Sequence, residues 1–246
     1  MKSYSFRLRN LSHLTLIVIF LFTFSKQSFA QKKSFFEGPY VGGAVGYTKF
    51  KTRFSAYPDL DGYDWYTSDK EDLNKSILTG AISAGYNWIF NQSYLLGLEA
   101  EISNGSSQEL RNFDNTYFNS KLDYITNLRI KLGTIYEGKN LLYVTAGPAT
   151  AKTKYNFFLG DNNYAEGENY PISINKTVYG LSYGVGVERQ IDDKGSIKLE
   201  YMLTDLNSAS KPYPEYDGVG CYYDDCRGPS WKTKISSIRI GYNYHF

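Results

Sequence analysis

The sequence predicts an all-β protein: an eight-stranded antiparallel up-and-down transmembrane β-barrel, with short periplasmic turns and long extracellular loops. Three observations predict it. Apolar residues alternate at every second position, again and again, after residue 30, with no sustained 3.6-residue period. The links between the alternating segments are short and long in turn. Charges gather on one face of the segments and aromatic rings on the other.

The chain opens with a segment that is not part of the barrel. Met1–Asn10 is basic, Leu14–Phe24 is an 11-residue apolar run, and Ser28-Phe29-Ala30 is a small-x-small cleavage signal. That order describes a signal peptide over residues 1–30, followed by an exported domain over 31–246. An 11-residue run is too short to span a bilayer as a helix. Its removal takes Lys2, Arg7, Arg9 and Lys26 from the 27 basic residues, leaving 23 against 25 acidic ones and a net charge of −2. Such a balance gives no basic field for nucleic acid, so no nucleic-acid partner is expected. The mean hydropathy of −0.42 excludes a helical membrane protein but not a barrel.

The segments follow in order. Residues 40–53 and 141–157 are strand-like, but neither parity declares itself as the outer face. Pro148 should lie at a bulge or where its missing N–H is tolerated. In residues 77–90, Leu78, Gly80, Ile82, Ala84, Tyr86 and Trp88 share a face. In 94–103 the face is Tyr94, Leu96, Leu98, Ala100 and Ile102, opposite Glu99 and Glu101. In 122–136, Leu122, Tyr124, Leu128, Ile130, Leu132 and Tyr136 oppose Asp123, Asn127, Arg129 and Lys131. In 177–190, Tyr179, Leu181, Tyr183, Val185 and Val187 oppose glycines, Ser182 and Glu188. In 197–204, Ile197, Leu199, Tyr201 and Leu203 oppose Lys198 and Glu200. The last strand sets Ile238, Ile240, Tyr242, Tyr244 and Phe246 against Arg239, Gly241, Asn243 and His245. Residues 91–93, 137–140 and 191–195 are tight turns; 54–75, 104–119, 158–175 and 205–231 are long polar links. Short turns at one end place both termini on the periplasmic side.

Charge decides which face points where. Glu99, Glu101, Asp123, Arg129, Lys131, Glu188, Lys198, Glu200 and Arg239 are too many to face lipid, where one charge costs ~2–4 kcal/mol at the midplane. A closed lumen can pair them. Tyr86, Trp88, Tyr94, Tyr136, Tyr242, Tyr244 and Phe246 fall toward the turn end of the apolar faces, as a membrane-interface girdle does.

Several stretches carry a family resemblance. They are Gly38–Tyr47 (GPYVGGAVGY), Leu98–Glu101 (LEAE), Leu142–Gly147 (LYVTAG), Tyr183–Glu188 (YGVGVE) and the Tyr244-x-Phe246 ending. With these the chain resembles the small eight-stranded outer-membrane β-barrels of Gram-negative bacteria, the OmpA-like barrels and porin-like surface antigens. The resemblance spans the mature chain. It implies residence in the cell outer membrane, outer-membrane lipid as surroundings, and reading of Tyr244 and Phe246 by the outer-membrane assembly machinery. It also implies a structural or surface-interaction role with an extracellular or host surface partner.

Catalysis has little to work with. His13 leaves with the signal peptide, and His245 lies near the periplasmic rim, so no outer-leaflet His can serve as a base. Glu99 and Glu101 are an i, i+2 pair suited to ion pairing rather than to a sugar cleft. No enzyme activity and no cofactor are expected. Asp59-x-Asp61-Gly62-x-Asp64 lacks the spacing and distal Glu of a calcium loop, so no metal site is assigned. Cys221 and Cys226, the only cysteines, are expected to form a local disulfide in an oxidising compartment. Eight strands leave an interior just wide enough for side chains to fill, so a plug is expected, with a narrow porin as the alternative.

Overall fold

A computed structural model describes residues 34–55, 70–111, 117–159, 170–210 and 230–246. The signal peptide, residues 57–69 of the acidic 57–72 stretch and the Cys221–Cys226 pair lie outside the described residues. Ten strand pieces form one antiparallel sheet. They are β1 (Gly38–Ser55), β2 (Lys70–Phe90), β3 (Tyr94–Asn104), β4 (Ser107–Arg111), β5 (Tyr117–Tyr136), β6 (Asn140–Leu159), β7 (Tyr170–Gln190), β8 (Gly195–Leu206), β9 (Ala209–Ser210) and β10 (Ser230–His245). β4 carries the line of β3 onward against β5, and β9 carries that of β8 onward against β10, so the wall has eight staves. The wall closes where β1 pairs with β10, from Tyr40↔His245 to Ser55↔Ser230. Closure leaves no unpaired edge in hydrocarbon, where each orphaned backbone group would cost several kcal/mol.

The tight turns have local causes. Asn91 and Gln92 both take left-handed backbone (φ 49° and 59°), and the Ser93 N–H donates to Phe90 O at 3.2 Å. Glu137 and Gly138 do the same at φ 52° and 66°. Two successive residues of this kind match the twist of an antiparallel pair. At the third turn Asp192 Oδ1 accepts the backbone N–H groups of Lys194 and Gly195, an Asx-type closure.

The long links are shorter than the sequence implied. β2 starts at Lys70 rather than near residue 77, β5 at Tyr117, β7 at Tyr170 and β10 at Ser230, while β6 runs to Leu159. Apolar alternation on the outer face stops at the membrane edge, but ladder hydrogen bonds continue in water, so hydrophobic pattern marked the membrane boundary and not the strand ends.

The two undecided strands now have a facing. In β1, Tyr40, Gly42, Ala44, Gly46, Thr48, Phe50 and Thr52 point inward; in β6, Leu141, Tyr143, Thr145, Ala149, Ala151, Thr153 and Tyr155 do. Pro148 faces outward and keeps its register with β7 at Pro148↔Leu181, while on its other side the β5–β6 ladder skips Leu128 and Arg129, a place where its missing N–H is tolerated. The bulge lies elsewhere. The β5–β6 register shifts between Leu122 and Tyr124, so Asp123 is an extra residue.

That bulge corrects the sequence reading at two positions. Asp123 was expected in the lumen and Leu122 on the lipid side. Instead Leu122 is buried inside, and Asp123 sits on the outer surface between Lys121 and Lys154, at 3.5 and 3.8 Å. The extra residue reverses parity above it, since one residue of slip exchanges faces.

Candidate functional site

The lumen is filled in layers. At the turn end, Phe36, Leu95, Ile135, Leu141 and Tyr143 form an apolar cluster, with Phe35 and Ile89 against it. At the loop end, a larger cluster includes Phe50, Leu122, Ile125, Tyr155, Ile174, Val178, Leu206 and Trp231. Between them lies a belt of charge. Its acids are Glu99 and Glu101 on β3, Glu188 on β7 and Glu200 on β8. Its bases are Arg129 and Lys131 on β5, Lys198 on β8 and Arg239 on β10. All eight are buried. Period two puts each on the inward face of its strand.

The belt is one connected network. The Arg129 guanidinium donates to Glu99 and, at 2.8 Å, to Glu101. Arg239 donates through Nε to Glu200 at 2.9 Å and through Nη1 to Glu101 at 2.8 Å. Lys198 lies 3.4 Å from Glu99 and 3.6 Å from Glu200. Lys131 lies 3.6 Å from Glu99 and 3.9 Å from Glu188. Each carboxylate thus faces at least one cation, and formal charge within the belt sums to zero. Burying single ions here would cost several kcal/mol each, and only dense mutual pairing offsets that.

Two tyrosines that the sequence reading missed complete it. Tyr40 Oη donates to Glu99 at 2.8 Å, and Tyr143 Oη donates to Glu200 at 2.7 Å. Their rings bracket Lys131 Nζ, 4.8 and 4.6 Å from the two centroids, an arrangement that attracts a desolvated cation. Gly85 and Gly186 face these rings, and a Cβ at either would collide with Tyr40 or Tyr143. Both tyrosines lie on the strands whose facing the sequence left open; the paired glycines opposite were the available signal.

Glu188 differs from its partners. It accepts hydrogen bonds from Ser196 Oγ and, at 2.8 Å, from Asn243 Nδ2, and its Oε1 lies 3.2 Å from His245 Nε2. His245 Nε2 is also 3.0 Å from Ser196 Oγ. A Ser, a His and a Glu therefore meet, but not as a catalytic relay. A relay needs the hydroxyl on one ring nitrogen and the carboxylate on the other. Here both lie on Nε2, while Nδ1 is buried without a partner among the described residues, and the ring is packed among Phe35, Phe36 and Tyr40. Sequence parity had put His245 on the inward face, although its burial beneath Phe36 was not foreseen.

Just above the belt is a cavity of about 30 Å³, lined in part by Thr48, Thr79, Ser103, Ser182 and Thr204. It has room for about one or two water molecules. The described residues contain no group of three or more His, Cys, Asp or Glu arranged to hold a metal ion.

On the outside, Tyr86, Trp88, Tyr94, Tyr136, Tyr242 and Phe246 are exposed around the turn end. Tyr244 is half-buried and packs edge-on against Phe246 at 5.1 Å, with Lys194 Nζ 5.5 Å from its centroid. Phe90 belongs with them. A second set of outward rings, Tyr47, Tyr124, Tyr179, Tyr183 and Tyr201, lies toward the loop end and was not singled out from sequence.

Comparison with known proteins agrees with this architecture. Residues 16–246 match the family model described as outer membrane protein beta-barrel domain. The chain is 27% identical over 215 residues to the 31 kDa outer-membrane immunogenic protein of Brucella melitensis, covering 85% of this chain and 83% of that one. It matches the protein of the same description in Brucella suis equally. Among solved structures, the outer membrane protein OprG of Pseudomonas aeruginosa superposes with a TM-score of 0.53 at 11% identity, covering 85% of this chain and 97% of that one.

Proposed function

The chain belongs to the outer membrane β-barrel family, and from that premise we propose that it is a non-enzymatic, closed barrel that supports the envelope and presents its loops at the cell surface. The observation that carries this reading is the belt: four acids and four bases, buried and mutually paired, stand across the lumen between two apolar layers. A conducting pore would need a continuous wet path past them. The immunogenic description of the Brucella relatives supports the surface role, since an outer-membrane protein met by antibodies exposes its loops. The Tyr-rich, acidic stretch over residues 57–72 and the Cys221–Cys226 tip are the segments we assign to contact with an extracellular partner.

The test is the conductance of the refolded mature protein in a planar bilayer. The closed-barrel reading expects no steady open state. A steady, large conductance would replace it with the narrow porin, which the polar cavity above the belt favours. The Cys pair is tested separately: native, unreduced protein should take up no thiol label, and labelling of both residues would remove the disulfide. Phe246 is exposed on the outer face and its N–H donates to Pro39 O. We assign it to recognition by the assembly machinery; its deletion should lower outer-membrane yield while spontaneous refolding into detergent suffers less, and normal yield would refute the assignment.

A further inference from the structure

We propose that residues 34–37 are a hinged lid on the periplasmic mouth of the lumen. Seated, the lid shields His245 and Glu188; lifted, it opens them to water while the rest of the barrel stays folded. The segment turns back under the wall just before β1, and the Glu37 N–H closes the turn on Ser34 O at 3.1 Å. Phe36 is fully buried and fills the ring of Leu95, Ile135, Leu141 and Tyr143. Phe35 is half-buried and lies against His245, with ring centroids 4.6 Å apart.

The chain has a hinge at the right place. Pro39 is held to the wall, since its carbonyl accepts the Phe246 N–H at 3.2 Å and Tyr40↔His245 pairs beside it. Gly38, one residue earlier, has φ 108°, a conformation that residues with a Cβ rarely adopt. Rotation at Gly38 swings the turn away without disturbing the ladder from Pro39 upward. Among the described residues one hydrogen bond ties the lid to the wall: Asn87 Nδ2 donates to Phe36 O at 3.0 Å. A segment held by one such bond and the burial of two rings belongs to the low-stability end of a fold.

The layer above the lid pulls the other way. Asn87 Oδ1, Asn243 Oδ1, Glu188 Oε2 and His245 Nδ1 are all buried there with no hydrogen-bond partner among the described residues. Lys131 Nζ comes no nearer to Glu188 Oε2 than 3.9 Å. The four atoms belong to one group. Asn243 and His245 both meet Glu188 Oε1, and Asn87 holds the lid itself. A buried polar atom without a partner weakens the state that buries it. Seating therefore gains the burial of Phe36 and part of Phe35, and lifting gains hydration of these four atoms. Opposed terms on one short, hinged segment make a lid that moves rather than a fixed floor. Lifted, it presents Ser196, His245 and Glu188 to the periplasm, while Arg129, Glu101 and Arg239 stay paired above.

His245 is the only histidine after residue 30, so its imidazole reports the lid by itself. The experiment is carbethoxylation of the refolded mature chain with diethylpyrocarbonate, at several urea concentrations below unfolding. Modification is read by the mass of the C-terminal peptide and confirmed by reversal with hydroxylamine. The result does not depend on whether the lumen conducts. The unmutated chain should react far more slowly than N-acetylhistidine, at a rate that low urea leaves unchanged, because lifting exposes little surface. Phe36→Ala should react at least about tenfold faster, the size expected for losing the burial of one ring. Gly38→Ala strains the seated turn and should react about fivefold faster or more. Phe36→Leu, which refills the ring, should restore most of the protection. Gly38→Ala and Phe36→Leu carry the comparison should Phe36→Ala fail to become heat-modifiable. Reaction of the unmutated chain as fast as N-acetylhistidine overturns the proposal, since no lid would then be seated. Equal protection in the unmutated chain, Phe36→Ala and Gly38→Ala overturns it too, because the seal would belong to the wall. So does a rate in the unmutated chain that climbs with urea in step with global unfolding, which would make the segment a fixed floor.

Discussion

Two halves of the same barrel use opposite rules. In the half that crosses the membrane, the outer face is apolar (Leu98, Ile130, Leu132, Val144, Val185) and the inner face carries the charged belt. In the half nearer the loops, the outer face carries Lys121, Lys152, Lys154, Lys232 and Lys234, and the inner face carries Phe50, Leu122, Tyr155, Ile174 and Trp231. Apart from β5, where the Asp123 bulge shifts the parity, the strands run through the change without altering their period. What changes is the solvent. Lipid accepts apolar side chains and rejects charge, so charge goes inside and must pair there. Water accepts the lysines, so the interior reverts to an ordinary apolar core. The belt is costly to hold and has to be complete, whereas the upper core is replaceable packing.

Substitutions in the two halves should therefore fail differently. The largest effect is expected at Arg129→Ala, which leaves Glu99 and Glu101 buried with less counter-charge. It should cost about 3–5 kcal/mol in urea unfolding from lipid vesicles and raise ion leak. Trp231→Ala removes a buried ring stacked on Tyr155 at 5.2 Å. It should cost about 3–5 kcal/mol locally, read as faster proteolysis of the loop end, with no leak. If Trp231→Ala leaked as Arg129→Ala does, the two halves would not be separate.

A smaller pair of effects tests the outer face. Leu132→Lys places a charge against lipid and should cost about 2–4 kcal/mol. Thr177→Glu, on the loop-end outer face directly opposite Lys152, should change stability by no more than about 0.5 kcal/mol. Equal costs would contradict the swap of polarity. The smallest effect is expected at Asp123→Asn. Its ion pairs to Lys121 and Lys154 involve half-exposed side chains, and surface pairs are worth about 0–1 kcal/mol. A loss as large as that of Arg129→Ala would return Asp123 to the belt.

The swap also explains what could be read from the sequence. Strands confined to the membrane half, such as 94–103 and 197–204, show one apolar and one charged face, and their facing was legible. Residues 40–53 and 141–157 cross the change of solvent. Their outward set runs from Val41 to Lys49 and from Leu142 to Lys154, so neither parity is uniformly apolar. Eight belt residues were legible because charge against lipid is so costly. Asp123 was misplaced because a bulge adds a residue without leaving a mark in the alternation. Tyr40 and Tyr143 were missed as belt partners because tyrosine suits either face; His245 was set on the inward face by parity, but only the ladder register reveals which neighbours it meets.

The central claim is that the belt acts as one closed network, and a double-mutant cycle on Glu101 and Arg129, 2.8 Å apart, tests it most directly. Unfolding of Glu101→Gln, Arg129→Met and the double variant would be measured in the same lipid vesicles. A coupled belt predicts that the double variant is less damaged than the sum of the two, by about 1.5 kcal/mol or more. Additivity within about 0.5 kcal/mol would mean that the charges merely sit side by side, and would contradict the account.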